Sequence, residues 1–422
     1  MNKVQAVVLA AGESRRFYPF NGFSHKTLVA VLGKPIIVHT IESIKRSGIT
    51  DIIIVTSPNG EIKSILGNGE RFGVSIRYVV QDKPEGMGDA LLLCRERIKS
   101  DFFLMHASHL DFDTFAEDLL KAKKEDIKGV LLAKRKKLGQ NQGILKLSGR
   151  KVEEIIEKPK KVEDPSSMHV VGIYLLNKDF LNTLEKSSKE HYRLEKAISD
   201  YAKENHIGFL ETKKDTISLK YPWDLLAVKD YLFKNIKRQI SPNARIAKNA
   251  EIIGEAVVGD GVEIMEGARI KGPCFIGKNV TVGNNALLRN GVDVEEHSVV
   301  GGYMEMKNTI LMRNSTTHSG FIGDSIIGPN CKIAAQFCTG NLRLDRNLVK
   351  SNVGQDETDT GLKYLGVIVG EDTNIGIKVS TMPGVIIGRH SVIGPSTVVM
   401  KNVSDNTRYY TKFAEIVSKN EK

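Results

Sequence analysis

Two groups of residues in this sequence have the types and spacing for chemistry on small anionic molecules. The first is a turn of small residues after a strand-like run, with Gly12 in the turn, followed by the cations Arg16 and Lys26. Free backbone N–H groups in such a turn can hold phosphate oxygens, and two basic side chains supply the countercharge. Taken alone, the pattern predicts an anion site without naming a reaction.

The second group centres on His318. Every sixth residue from Ile246 to Met312 is apolar, and His318 is the next residue in that register. A titratable side chain at this point predicts that the repeat carries chemistry there, because an imidazole can accept a proton from an amine near neutral pH. The alternative interpretation is a histidine that is hydrogen-bonded within the stack.

The elements that position the first group alternate between strand and helix over residues 1–220. The predicted strands are 4–10, 52–56, 75–81 and 102–105, and the predicted helices are 35–47 and 88–98. This alternation predicts an α/β domain with a mostly parallel, Rossmann-like sheet covered on both sides. Ligands of such sheets bind at the carboxyl ends of the strands, where Gly12 lies.

The six-residue period predicts a different architecture for the second half, a parallel β-helix that stacks short strands coil upon coil. We expect domains at 1–221 and 242–404, a connecting segment at 222–241 and a tail at 405–422. The pattern predicts one amphipathic helix from Pro222 to Ile240, a loop inserted between Asn341 and Lys363, and a short terminal helix after Asn406.

Composition narrows the partners and the compartment. A net charge of +11 in 422 residues favours anionic partners, and the basic run 134–137 has no interleaved aromatic residues, so we expect phosphorylated small molecules and no nucleic acid. No apolar run approaches about 18 residues and no signal-peptide pattern is present, which predicts a cytoplasmic protein without a membrane span. Four cysteines without a Cys-x-x-Cys pair predict neither a zinc site nor a disulfide framework.

The first half resembles the sugar-1-phosphate nucleotidylyltransferases. The matching pieces, in the family's order, are Leu9-Ala10-Ala11-Gly12 with Arg16 and Lys26, Gln81 with Gly86-Met87-Gly88-Asp89-Ala90, Gly143, Glu157-Lys158-Pro159, Gly172-Ile173-Tyr174 and Pro222-Trp223-Asp224-Leu225-Leu226. In that family a sugar phosphate oxygen attacks the α-phosphorus of a nucleoside triphosphate and pyrophosphate leaves. The chemistry is mostly positioning and charge neutralisation.

This resemblance implies a role for each matched residue. Arg16 and Lys26 would be catalytic cations on the triphosphate, here UTP or dTTP. The nucleotide would contact Ala11, Gly12, Gln81 and Gly86, and the sugar and its phosphate would contact Gly143, Glu157 and Lys158.

The family also uses Mg²⁺, held by two carboxylates, and the corresponding positions here are Ser108 and Ser218. Other carboxylates nearby in the sequence are Asp111, Asp113, Asp215 and Asp224, any of which is a candidate replacement. The alternative interpretation is a degenerate first domain that binds nucleotide without catalysis, leaving acyl transfer alone. A further alternative removes catalysis entirely and leaves a regulatory or scaffold protein.

The second half resembles the acetyltransferase half of bifunctional N-acetylglucosamine-1-phosphate uridylyltransferase/glucosamine-1-phosphate acetyltransferases, which are left-handed parallel β-helices of hexapeptide repeats. The matching pieces are Leu288-Arg289-Asn290-Gly291, Glu305-Met306-Lys307, the run from His318 to Asp324, and the run from Gly340 to Asp345. The resemblance implies that Arg289 and Lys307 bind the sugar phosphate, that His318 is the general base and that Asn341 orients either the sugar or the imidazole of His318. It also implies acetyl-CoA as co-substrate and a homotrimer, and the whole chain is then an enzyme of nucleotide-sugar biosynthesis.

Overall fold

The protein is described by a computed structural model that covers residues 4–22, 25–135, 143–157, 167–190, 192–354, 356–414 and 417. It divides into two compact units. The first contains Met1–Ser14, Phe23–Val29 and Pro35–Ser218, and the second contains Arg15–Gly22, Ala30–Lys34 and Leu219–Lys422. Among the described residues, no helix has the length and apolar character needed to cross a bilayer.

A nine-stranded sheet forms the centre of the first unit. The strands of the N-terminal half are β1 (Gln5–Ala10), β2 (Ala30–Val31), β3 (Lys34–Pro35), β4 (Asp51–Thr56), β5 (Ser75–Val80), β6 (Phe102–His106), β7 (Gly129–Arg135), β8 (Ile144–Ser148), β9 (Lys151–Ile156), β10 (Met168–Leu176) and β11 (Ile207–Glu211). The sheet order is β5-β4-β1-β6-β10-β7-β11-β9-β8, and β2 pairs with β3 separately. Only β9 and β10 run against the other seven strands of the described sheet, so the predicted, mostly parallel α/β architecture is confirmed.

Helices cover both faces of this sheet. The covering helices are α1 (Ile36–Arg46), α2 (Glu61–Leu66), α3 (Met87–Leu92), α4 (Ala116–Ala122), α5 (Phe180–Lys186) and α6 (Arg193–Glu204). The second unit contains the helix α7 (Asp224–Phe233). Strand β1 is buried along its whole length, with Val7 and Leu9 in one apolar cluster and Ala6 and Val8 in another, which explains its unbroken apolar sequence. The helix predicted at 88–98 is shorter, because α3 ends at Leu92 and a 3-10 turn follows at Arg95–Arg97.

The second unit is a parallel β-helix with three faces. The first face comprises Gln239–Ile240, Ala256–Val258, Cys274–Ile276, Val292–Val294, Ile310–Leu311, Ile326–Ile327, Ile368–Val369 and Ile386–Ile387. The second comprises Arg245–Ile246, Glu263–Ile264, Thr281–Val282, Val299–Val300, Thr316–Thr317, Lys332–Ile333, Asn374–Ile375, Val392–Ile393 and Arg408–Tyr409. The third comprises Glu251–Ile253, Arg269–Lys271, Leu287–Arg289, Met304–Lys307, Gly320–Gly323, Phe337–Thr339, Ser380–Thr381 and Val398–Val399. The apolar ladder inside these faces is one continuous core, which confirms the β-helix.

The register predicted for His318 is wrong. Early coils are 18 residues long, as in Ile276 pairing with Val294, but Val294 pairs with Leu311 only 17 residues later. The inward position of the next strand is therefore Thr317, which pairs with Val300. His318 follows Thr317 and is exposed, because the corner after Lys307 is one residue shorter than the repeat predicts.

The connections between elements also differ from the prediction. The helix predicted from Pro222 to Ile240 ends at Phe233, and Gln239–Ile240 is already a strand of the β-helix. In the segment predicted as a terminal helix, Arg408–Tyr409 form a strand and residues 410–414 are not helical, while residues 415–416 and 418–422 lie outside the described part of the chain. The insertion predicted between Asn341 and Lys363 is confirmed, and it contains a hairpin of Lys350–Val353 and Asp356–Asp359.

Two short segments of the N-terminal half belong to the β-helical unit, which the sequence did not predict. The backbone N–H groups of Leu32 and Gly33 donate to the carboxylates of Asp293 at 3.0 Å and Glu295 at 2.9 Å. Tyr18 Oη donates to Asp405 Oδ1 at 3.0 Å. Burial raises the pKa of the Asp293 carboxyl, and the neighbouring Glu295 raises it further. Buried carboxylates thus tie early residues of the chain to the solenoid.

Candidate functional site

The turn that is predicted to bind phosphate follows the carboxyl end of β1. Ala11 is half-buried and Gly12 is exposed, and a side-chain carbon at Gly12 would meet nothing within 4 Å, so the backbone there is open to a ligand. Ser14 Oγ accepts a hydrogen bond from the Lys26 backbone N–H at 3.2 Å. This bond joins the turn to the 3-10 helix Lys26–Leu28, and the two predicted features lie together.

The residue before Lys26 fixes the start of that short helix. His25 is buried, and its Nδ1 accepts from the Thr27 backbone N–H at 3.3 Å and lies 2.6 Å from Thr27 Oγ1. Burial lowers the pKa of His25 to about 3, and the charge of Lys26 adds to the effect. A neutral ring can accept the capping hydrogen bond, so His25 holds the helix without competing with Lys26 for anions.

Two of the residues predicted to contact the nucleotide, Gln81 and Gly86, are hydrogen-bonded to each other. Gln81 follows β5, is 7% exposed, and donates from Nε2 to the carbonyl oxygen of Gly86 at 3.3 Å. Gly86 has a φ of 117°, a backbone conformation that favours glycine, and it precedes α3. The structure therefore brings Gln81 and Gly86 together at the start of a helix.

The predicted sugar-contacting residues meet beside β10. A side-chain carbon at Gly143 would collide with the carboxylate of Glu157, and the Gly143 carbonyl accepts from the Val170 backbone N–H at 3.0 Å. A larger residue at position 143 would have to displace the Glu157 carboxylate. Lys158, the remaining member of this set, lies outside the described residues.

Arg16 belongs to the second unit. It lies in the 3-10 helix Arg15–Phe17, and its guanidinium carbon is 5.8 Å from the centroid of the Tyr221 ring. Tyr221 in turn stacks on Trp223 with ring centroids 4.6 Å apart. The predicted Pro222-Trp223-Asp224 motif therefore supports the segment that carries Arg16.

The two cations that are predicted to bind the sugar phosphate, Arg289 and Lys307, lie on neighbouring strands of the third face of the β-helix. Arg289 pairs directly with Lys307 in the strand register, and Lys307 pairs with Gly323 on the next strand. Each cation has a carboxylate partner, Arg289 with Glu305 at 2.6 Å and Lys307 with Asp324 at 2.9 Å. The same position of successive coils thus presents two oriented cations.

Asn341 and Phe321 complete this surface around Gly323. A side-chain carbon at Gly323 would lie 2.6 Å from Phe321 Cζ and 2.9 Å from Asn341 Nδ2, so a larger residue there would displace one of these side chains. Asn341 Nδ2 donates to Asp324 Oδ2 at 2.6 Å. Arg289, Lys307 and Asn341 are therefore grouped as predicted, and Asp324, which the sequence did not single out, lies among them.

His318 lies at the corner that leads into the strand Gly320–Gly323. Its backbone N–H donates to the Ile333 carbonyl at 3.0 Å, and its side chain is exposed. Among the described residues, the His318 imidazole has no hydrogen-bond partner. The alternative interpretation, a histidine whose ring is hydrogen-bonded within the β-helix, therefore does not describe this side chain. An exposed imidazole on a rigid backbone can serve as a base for a bound amine.

Comparison with known proteins places this geometry in context. The family model described as Nucleotidyl transferase matches residues 5–221. A "Bifunctional protein GlmU" from Methanococcus aeolicus is 31% identical over 421 residues, 99% of each chain. The chain belongs to the nucleotidyl transferase family. A "Bifunctional sugar-1-phosphate nucleotidylyltransferase/acetyltransferase" from Sulfurisphaera tokodaii is 31% identical over 410 residues, 95% of this chain and 98% of the relative. A "Glucose-1-phosphate thymidylyltransferase" from Streptomyces antibioticus is 26% identical over 350 residues, 80% of this chain and 96% of the relative.

Membership of this family confirms the predicted kind of enzyme. The similarity to bifunctional transferases extends over both units, so this nucleotidyl transferase is followed by a left-handed parallel β-helix of the acyltransferase type. The interpretation of the first domain as degenerate is not favoured by this full-length similarity. Nucleotidyl transferases of this type generally use a divalent metal ion.

The two positions expected to hold that metal do not fit it in this nucleotidyl transferase. Ser108 is buried and Ser218 is exposed, and neither offers the anionic oxygen that a hard divalent cation prefers. Asp111 is fully buried, where Oδ2 accepts from the Ile217 backbone N–H at 2.7 Å and Oδ1 lies 3.3 Å from His109 Nδ1. Asp111 thus connects the segment after β6 to the segment that contains Ile217, and its carboxylate is not accessible to solvent.

The other three candidate carboxylates differ in their surroundings. Asp113 accepts from Ser43 Oγ at 2.7 Å and from Arg46 Nε at 2.6 Å. Asp224 accepts from the backbone N–H groups that precede α7. Asp215 is largely exposed and lies 4.0 Å from Lys134. Asp113 and Asp224 therefore hold the fold together locally, whereas the side chain of Asp215 is largely exposed.

Burial of the Glu195 carboxyl makes the stability of the nucleotidyl transferase domain depend on pH. It raises the pKa of Glu195, on α6, from 4.5 to about 7, and the charge of Glu157 adds to the shift. The folded state then binds the proton more tightly than the unfolded chain, so this group's contribution to stability is complete below pH 4.5 and is lost as pH rises to about 7. The free energy of unfolding of the wild type should therefore fall as pH rises through this range. We expect this fall to be smaller by about 3 kcal/mol in Glu195→Gln, which has no carboxyl to ionise.

Urea unfolding of the wild type and Glu195→Gln between pH 5 and pH 8 measures this difference. Glu204→Gln is the matched control, because Glu204 is exposed at the end of the same helix. Equal pH slopes in the wild type and Glu195→Gln would show that Glu195 is ionised in the folded protein throughout this range.

A glycine beneath His318 controls the position of the predicted base. A side-chain carbon at Gly301 would collide with the carbonyl oxygens of Thr317 and His318. Gly301→Ala should displace this corner, destabilise the protein by about 1–3 kcal/mol and reduce acetyl transfer about 10- to 100-fold. Gly302→Ala is the matched control, since its nearest neighbour would be 3.2 Å away.

Acetyl transfer and pyrophosphate release measured on both glycine variants test this expectation. Pyrophosphate release should be unchanged, because the substitution lies in a coil of the β-helix. Equal acetyl transfer by the two variants would mean that the corner does not position the reacting group.

Proposed function

We propose that this protein makes a nucleotide sugar from a nucleoside triphosphate and a sugar 1-phosphate, and that its β-helix acetylates an amino-sugar 1-phosphate. The observation that carries the proposal is identity of about 30% to bifunctional transferases over 99% of the chain, with both predicted residue sets present. The β-helical set is Arg289, Lys307, His318 and Asn341, and the first-unit set is Ala11, Gly12, Lys26, Gln81, Gly86, Gly143 and Glu157.

In the acyl-transfer half, the amine of the acceptor attacks the thioester carbon of acetyl-CoA. His318 accepts the proton released by the amine, and coenzyme A leaves as the thiolate once the tetrahedral intermediate collapses. Arg289 and Lys307 bind the phosphate of the acceptor through charge-assisted hydrogen bonds, and Asn341 orients the sugar. Each cation is already paired with a carboxylate, Glu305 or Asp324, so the two side chains contribute oriented N–H donors to the phosphate and not a surplus of two charges.

In the nucleotidylyl-transfer half, an oxygen of the sugar phosphate attacks the α-phosphorus, and the bond to pyrophosphate breaks. The backbone after β1 holds phosphate oxygens, and Lys26 and Arg16 neutralise charge on the triphosphate. Gln81 and Gly86 contact the base of UTP or dTTP, while Gly143, Glu157 and Lys158 hold the sugar phosphate. These residues supply positioning and countercharge, which are the main protein contributions to this chemistry.

Two finer points complete the proposal. Acetyl-CoA binds in a groove between neighbouring β-helices, which requires a homotrimer. Mg²⁺ is the ion that the family resemblance implies, although the serines at 108 and 218 do not match its preference for anionic oxygen ligands.

The test is pyrophosphate release by the purified protein across a panel of nucleoside triphosphates and sugar 1-phosphates, with Mg²⁺ and with EDTA. We expect release with one preferred pair and its loss in Arg16→Ala. Release that persists in EDTA would show that the chain has dispensed with the metal. Nucleotide binding without release from any pair would contradict the proposed nucleotidylyl transfer and leave a binding domain.

A further inference from the structure

We propose that Asp324 is a positioning residue for acetyl transfer, which fixes Lys307 and Asn341 before the acceptor binds. This inference rests on the proposed acetyltransferase function, because it concerns how that site is organised. Asp324 touches neither substrate in the proposal and acts through the two residues that do.

One oxygen of Asp324 holds both partners. Oδ2 accepts from Lys307 Nζ at 2.9 Å and from Asn341 Nδ2 at 2.6 Å. The ammonium and the amide therefore share a single acceptor, which sets the spacing between them. Asp324 is itself 3% exposed, so water competes little for this oxygen.

The backbone of Asp324 is equally constrained. It occupies a corner with φ of 51°, its N–H donates to the Lys307 carbonyl at 2.8 Å, and its carbonyl accepts from the Gly366 N–H at 2.8 Å. The carboxylate is thus attached to a corner that is hydrogen-bonded to the coils on both sides. Its partners are held by a rigid element of the β-helix.

The second oxygen is anchored to helix α7. Oδ1 accepts from Asn308 Nδ2 at 2.8 Å, and Asn308 Oδ1 accepts from Lys229 Nζ at 2.9 Å. Lys229 is fully buried, donates to Asp230 Oδ1 at 2.5 Å and lies 5.1 Å from the centroid of the Phe233 ring. A buried ammonium needs such partners, so Asn308 is fixed and the Asp324 carboxylate cannot turn.

Lys307 also contacts an aromatic ring. Its Nζ lies 4.6 Å from the centroid of the Tyr364 ring, in the range of a cation–π contact. A free lysine side chain loses about 2 kcal/mol of rotamer entropy when it is ordered. Because Asp324 and Tyr364 order Lys307 in advance, less of that cost falls on acceptor binding.

Asp324→Asn tests this role with little change of shape. Asparagine tolerates a positive φ, but it has one oxygen where aspartate has two, and it removes the charge that pairs with Lys307. We expect the KM for the amino-sugar 1-phosphate to rise about 10- to 100-fold, while the KM for acetyl-CoA stays unchanged. Asp372→Asn is the matched control, because Asp372 is also at a corner with φ of 54° and its carboxylate lies 3.6 Å from His390 Nδ1.

A second measurement does not depend on turnover. Reductive methylation of the full-length protein, followed by peptide mass spectrometry, gives the labelling rate of Lys307 in each variant. We expect faster labelling in Asp324→Asn than in the wild type or Asp372→Asn. If Asp324→Asn does not fold, Asn308→Ala removes the donor to Oδ1 and should accelerate labelling to a smaller extent.

The two measurements separate the proposals. Unchanged labelling of Lys307, or an unchanged KM for the acceptor in an active Asp324→Asn variant, would overturn the positioning role. Faster labelling in a protein whose wild type acetylates no amino-sugar phosphate would uphold the positioning of Lys307 and overturn the acetyltransferase function. In an active enzyme, Asp324→Asn should add little to the defect of Lys307→Met, because both act on the same contact.

Discussion

Replacement of His318 by alanine is expected to reduce acetyl transfer about 10²- to 10⁴-fold, the range typical of a lost general base. The attacking amine must lose a proton as the carbon–nitrogen bond forms, and the exposed imidazole is the group proposed to accept it. The loss should fall on kcat, with the KM for the amino-sugar 1-phosphate nearly unchanged, because Arg289 and Lys307 still bind the phosphate. The measurement is coenzyme A thiol release under saturating acetyl-CoA.

His297→Ala is the control for this experiment, since His297 is another exposed histidine at a corner of the β-helix. Its acetyl transfer should match that of the wild type. Pyrophosphate release should be unaffected in both variants. Acetyl transfer by His318→Ala within a factor of about three of the wild type would show that another group, or solvent, accepts the proton.

Lys26→Ala is expected to reduce nucleotidylyl transfer about 10²- to 10³-fold. The ammonium is proposed to neutralise charge that develops on the triphosphate as pyrophosphate leaves, and removal of one such group from a prepared site costs about this much. The effect should appear in kcat/KM for the nucleotide, measured by pyrophosphate release with the preferred substrate pair. Folding should be retained, because the bond between the Lys26 N–H and Ser14 Oγ is made by the backbone.

Lys63→Ala provides the comparison, because Lys63 is an exposed lysine of the same unit that lies 6.0 Å from the Tyr78 ring centroid. Its kcat/KM should be that of the wild type. If Lys26→Ala and Lys63→Ala behave alike, the excess positive charge of the protein steers the nucleotide without a dedicated cation at position 26.

The two architectures could be predicted because each leaves a local signal. Strand β1 is buried on both faces and therefore reads as an unbroken apolar run, and the β-helix needs one apolar side chain for each face of each coil. The groups around Gly143 and Gly323 could be proposed only through resemblance, and their geometry agrees with it. Their roles in binding and catalysis stay predictions until the variants are measured.

The Asp324 network could not be read from the sequence. Its bonds join residues 16 or 17 positions apart in neighbouring coils, and the bond from Lys229 to Asn308 spans 79 positions. No local period connects them. The register predicted for His318 is wrong for a related reason. The coils after Val294 shorten to 17 and then 16 residues, but an apolar residue still occurs at the sixth position in the sequence, so the period alone does not reveal the change.

The attachment of residues 15–22 and 30–34 to the β-helical unit limits how this chain can be divided. A cut near residue 221 would remove the buried side chains of Phe17, Phe20 and Val31 from the solenoid. It would also leave the carboxylates of Asp293 and Glu295 without their backbone donors. The β-helical half is therefore not a self-contained domain, although its repeat suggests one. Gene fusions or domain exchanges that join the chain near residue 221 should yield insoluble β-helices unless they also include residues 15–22 and 30–34.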